Sequence, residues 1–146
     1  MKNKAFTLFE ILLVLLLIGF IIGFSSYFYF NFFKSDFVIK ESANFIITIL
    51  NLARQKALVG EENDNWGVWF VNTTTQDYFY LFKGSTSSLR NRYELPLQVT
   101  FLDFSEKIVL FNKISGQTTS TNIKIGLNED LYKTIKISTS GAIILE

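Results

Sequence analysis

Residues Phe6 to Phe20 read FTLFEILLVLLLIGF, an apolar series interrupted by one carboxylate, Glu10. Outward from this stretch, the 23 residues from Ile11 to Phe33 carry no formal charge. At a rise of ~1.5 Å per residue they make a helix of about 35 Å, enough to cross a hydrocarbon core of ~30 Å. Lys2 and Lys4 lie on the N-terminal side. The positive-inside rule therefore predicts a cytoplasmic N-terminus, with everything after Lys34 on the far side. A cleaved secretory signal is the alternative, but its apolar region runs ~7–15 residues and ends in a small-residue cleavage site. Here the run continues through Ser25, Tyr27 and Phe28 to Phe32 and Phe33, with no clear site of that kind. An ionisable group at membrane depth costs ~2.5–3.5 kcal/mol and usually has a partner, so Glu10 asks for an explanation unless it rests, solvated, at the headgroup level.

The rest of the composition narrows the chemistry. A chain of 146 residues that is 49% hydrophobic and 16% aromatic suits one domain with a sizeable core. Cysteine and histidine are absent. Disulfides, thiolate or imidazole catalysis and the usual zinc ligand sets are thereby excluded. With 14 basic and 13 acidic residues the chain is nearly neutral, neither a polycation for nucleic acid nor an acidic tail.

Beyond the apolar run the helical period continues. Ile39, Ala43, Ile46, Leu50, Ala53 and Ala57 alternate steps of four and three, while Lys40, Glu41, Asn51, Arg54 and Lys56 fall on other faces. This stripe suits packing against a sheet, with a coiled coil as the alternative. Gly60 is the expected C-cap. A continuous helix from Phe6 to Val59 would be about 80 Å long. Strands are expected over Trp66 to Asn72, Asp77 to Lys83, Leu97 to Asp103, Lys107 to Lys113, Asn122 to Leu127, Tyr132 to Ser138 and Ala142 to Leu145. Asn72 to Gln76 reads as a hairpin loop and Gly84 to Ser88 as a mobile one. The fold class is therefore α+β, a long helix followed by an antiparallel sheet.

The basic Lys-Asn-Lys-Ala start followed by Phe6-Thr7-Leu8-Phe9-Glu10-Ile11-Leu12-Leu13-Val14 resembles the processing site of type IV pilins and secretion pseudopilins. The C-terminal Asn122 to Ile125, Thr134 to Ser138 and Gly141-Ala142-Ile143, with Phe111, Gly116 and Ala53 to Ala57, are similar to the GspH/FimT group of minor pseudopilins. The resemblance implies a pilin-like fold with a leader over residues 1–5, a membrane and assembly half-helix over 6–33, an amphipathic half over 34–60 and a β-rich head over 61–146. It further implies cleavage by prepilin peptidase between Ala5 and Phe6 and N-methylation of Phe6. Ala5 stands where the family usually has glycine. Implied partners are other pilin or pseudopilin subunits and an inner-membrane assembly platform with its ATPase. The implied location is the bacterial inner membrane, single-pass with the head outside, and then a periplasmic or cell-surface fibre.

Cleavage would create a cationic amine on Phe6 that the Glu10 carboxylate of a neighbouring subunit can meet. At an effective dielectric near 20, opposite charges about 4 Å apart attract by ~4 kcal/mol before desolvation, enough to penalise subunits docked out of step.

Among rival functions, nucleic-acid binding in DNA uptake comes first, as the FimT-like resemblance implies. Residues 83 to 136 hold eight basic against five acidic residues, and Arg90 with Arg92 is expected in a polar loop able to reach phosphates. A plain single-span membrane protein is a further alternative. No enzyme, metal or cofactor is expected. The Glu61, Glu62, Asp64 cluster and Asn128-Glu129-Asp130 lack the spacing of a calcium loop and read as solvated turns. Trp66, Trp69 and Phe70 with Tyr78, Phe79 and Tyr80 read as core and sheet packing rather than a ligand platform. The Asn72-Thr73-Thr74 sequon occurs often by chance and is assigned no role.

Overall fold

The computed structural model describes the backbone of residues 8–146 and, within them, the side chains of all but residues 26–34. Ala5, Phe6 and the expected leader lie outside the described residues. The chain divides into two compact units, Met1–Ser35 and Asp36–Glu146. A single helix, α1 (Leu8–Val59), supplies both. In the first unit Leu8–Ser25 is long and apolar enough to cross a bilayer, and none of it is buried. Phe20 and Phe24, one turn apart, stack at 5.8 Å.

In the second unit the helix carries the expected stripe. Ile39, Ala43, Ile46, Leu50, Ala53 and Ala57 are each 0% exposed, and Lys40 and Glu41 face solvent. The stripe belongs to one buried cluster with the inner faces of the strands, so a sheet-packed helix replaces the coiled-coil alternative. Gly60 ends the helix in the left-handed region at φ +68, its N–H donating to the Ala57 carbonyl at 3.0 Å. The same carbonyl accepts the N–H of Ile114 at 2.8 Å. That second cap comes from a turn holding Ile114 at φ +69, an outlier for a β-branched residue.

After a 3₁₀ turn at Glu61–Asn63 come eight strands among the described residues: β1 (Trp66–Val71), β2 (Tyr78–Lys83), β3 (Leu89–Glu94), β4 (Thr100–Phe101), β5 (Glu106–Phe111), β6 (Thr121–Gly126), β7 (Tyr132–Ile137) and β8 (Ile143–Leu145). They form two four-stranded antiparallel sheets rather than the single sheet expected, in the orders β3-β2-β1-β5 and β4-β6-β7-β8. β5 joins β1, pairing Phe111 with Trp66 on the side away from β2, while its chain neighbours β4 and β6 pair with each other in the second sheet.

Asp77 ties the two sheets together. Its buried carboxylate accepts the N–H groups of Thr73 and Phe101 and the Thr100 hydroxyl, each at 2.7 Å. Phe70 and Phe101 meet edge to face at 5.4 Å beside it. The expected strand from Leu97 to Asp103 shrinks to Thr100–Phe101, because a turn from Pro96 to Val99 uses up its start.

The other correction is β3. Its sequence, LRNRYE, has no β-branched residue and only Tyr93 reaches inward, stacking on Phe79 at 5.4 Å, so its local pattern reads as loop. It is an edge strand, and edge strands commonly carry charge that discourages further pairing.

Candidate functional site

Glu10 lies in the first turn of α1 with its side chain exposed. Its expected counterpart Phe6 falls outside the described residues.

Arg90 and Arg92 occupy β3 rather than a loop, and each is already engaged. Arg90 pairs with Glu62 at 2.6 Å; Arg92 pairs with Glu94 at 3.0 Å and lies over the Tyr78 ring at 4.2 Å. Glu62 is the centre of this network, since it also accepts Lys83 at 2.8 Å. The Lys83 hydrogen bond, helped by the charges of Arg90, Lys83 and Lys56 and opposed by some desolvation, holds the Glu62 carboxyl below its usual range. The neighbouring Glu61 pairs with Lys56 at 2.5 Å, and Asp64 accepts the N–H of Asn65 at 2.8 Å. The acidic turn is therefore a fastening between the helix end and the edge of the first sheet. Asn128 likewise organises its own turn, accepting from Asp130 and Leu131. No cluster of metal-ligating side chains occurs among the described residues.

The aromatic cluster splits by strand alternation. Trp66, Phe70 and Phe79 are buried in the core. Trp69, Tyr78 and Tyr80 are partly exposed on the opposite face, with Trp69 and Tyr80 at 5.8 Å. The Asn72 side chain donates to the Phe101 carbonyl, which commits the sequon's asparagine to holding the sheets together.

One further feature has no counterpart in any local sequence pattern. Past the end of β5, where the first sheet runs out beside the β7–β8 turn, an open cleft of about 410 Å³ is bounded by Leu110, Asn112, Gln117, Thr118, Thr119 and Thr139, with Ser140 at its wall. Threonines and amides scattered over three segments leave no local signal; only the fold gathers them.

No protein-family model, curated protein or solved structure matches this chain.

Proposed function

We propose that the protein is a minor pilin-like or pseudopilin-like subunit, held in a bacterial inner membrane by its apolar helix and drawn from there into a thin fibre. The observation that carries this reading is the double character of α1. Leu8–Ser25 is apolar with no buried residue, whereas from Ile39 to Ala57 the same helix has one buried stripe beneath a β-rich head. A helix apolar all round needs an apolar surrounding, either lipid or a bundle of like helices. A subunit that passes from membrane to fibre core uses both. The start of the sequence supplies the second support: processing between Ala5 and Phe6 would leave Glu10 as the fifth residue, ready to meet the new amine of a neighbour.

The role is mechanical, with no catalysis. Phe6 and Glu10 set the docking register, the apolar helix forms the fibre core, and the head is displayed outside. The nucleic-acid alternative would require Arg90 and Arg92 to exchange Glu62 and Glu94, with which they are already paired, for phosphates. It is therefore the weaker reading.

Two measurements test the proposal. Mass spectrometry of the N-terminus in cells with prepilin peptidase should find the chain five residues shorter, beginning at a methylated Phe6; an intact Met1 in a working protein sinks the reading. Glu10→Ala should leave the protein folded and membrane-inserted while reducing its incorporation into fibres. Normal incorporation would remove the register role of the charge.

A further inference from the structure

We infer that the cleft between the end of β5 and the β7–β8 turn is a binding site for a neutral saccharide. Its volume, about 410 Å³, falls within the ~300–1,000 Å³ usual for small-ligand sites. None of the residues bounding it is ionisable. An uncharged lining offers a phosphate or an acidic peptide no ion-pair partner within the cleft, and it favours ligands that hydrogen-bond without charge.

The polar groups suit that ligand. Asn112 and Gln117 carry amides, each both donor and acceptor, and Thr118, Thr119 and Thr139 carry hydroxyls, the same two-way chemistry a sugar hydroxyl presents. Among the described residues none of these five side chains hydrogen-bonds within the protein; the contacts of their segments run through backbone, as in Asn112 to Gln117 and Thr118 to Thr139. They are thus available to a ligand at no internal cost. Leu110 adds an apolar floor.

The wall is rigid. Gly141 holds φ +79, and a Cβ there would run into the Gly116 carbonyl and lie 2.8 Å from Arg54 Nε. Arg54 donates to the Ser140 carbonyl at 3.1 Å from behind this wall. Arg54 Nε, a buried side-chain nitrogen without a partner among the described residues, thus belongs to a residue set behind the cleft wall. Pre-organisation of this kind lowers the ordering cost of binding.

The site is independent of the fibre reading, and its test does not require assembly. The full chain in phosphatidylcholine nanodiscs would be titrated with cellohexaose, maltohexaose and chitohexaose by saturation-transfer-difference NMR. Saturable transfer from at least one of the three is expected. Thr118→Val and Asn112→Ala should each weaken it by about two- to tenfold, and Gln117→Ala with Thr118→Val by about tenfold or more. Thr75→Val, in the β1–β2 loop, should leave it unchanged, with the circular dichroism and melting of every variant matching the parent. Absence of saturable transfer from all three, equal binding by the double variant, or binding confined to dextran sulfate run in parallel would overturn the assignment.

Discussion

Leu8–Ser25 and the stretch from Ile39 to Ala57 belong to one helix and are both rich in apolar side chains, yet the first has no buried residue and the second buries one stripe completely. The difference lies in arrangement. In the first stretch apolar residues point in every direction, so no single packing face can satisfy them, and only an apolar surrounding can. In the second, steps of three and four gather them on one side, which a sheet can cover. Hydrophobicity thus sets how much surface must leave water, and periodicity sets what can cover it.

Substitutions can break this comparison at either end. The largest effect is expected at Phe70, fully buried against Phe79 and Phe101. Phe70→Ala should cost the head about 3–5 kcal/mol, read as a lower melting temperature, whereas Leu15→Ala in the apolar stretch should not alter head melting. Equal shifts from the two would erase the distinction. Next, Leu15→Arg should hinder insertion by about 2.5–3.5 kcal/mol on translocon scales while sparing the head, as seen by alkaline extraction of membranes. Retention in the pellet at the parent level would mean that this stretch is not held by lipid.

Asp77→Ala comes third. It strands the N–H groups of Thr73 and Phe101, and a loss of about 1–3 kcal/mol is expected, with hydrogen exchange rising first around β4. Smallest is the fastening at Glu62. Its folded carboxyl titrates below an unfolded one, so its stabilisation is complete above the ordinary glutamate value of ~4.3 and fades as pH falls below that through the folded value. Glu62 is exposed, so the effect is local and weakened by salt. Exchange along β3 should rise on acidification in the parent protein and lose that component in Glu62→Gln; identical profiles would show that Glu62 does not hold the edge.

Features governed by near neighbours were legible in the sequence. The stripe from Ile39 to Ala57, the Gly60 cap, the hairpin loop at Asn72 to Gln76 and six of the strands are stated by residues a few positions apart. Strand β3 was not, because its polar exposed residues say nothing of a partner; β2 recruits it through backbone pairing and through Tyr93 on Phe79. The arginines on it read as free for the same reason, since their acids lie 28 positions away in Arg90–Glu62 and two in Arg92–Glu94, and only the strand's geometry brings both into reach.

By itself the sequence determined that a long helix carries two kinds of surface and that β-structure follows it, because helix period, capping and strand propensity act within a turn or two of chain. The tertiary structure alone decided that the strands divide into two sheets, that Asp77 joins them, that Glu62 secures the edge, and that amides and hydroxyls from separate segments meet in one cleft. Those outcomes depend on contacts between residues far apart in the chain, whose energies exist only once the backbone has brought them together.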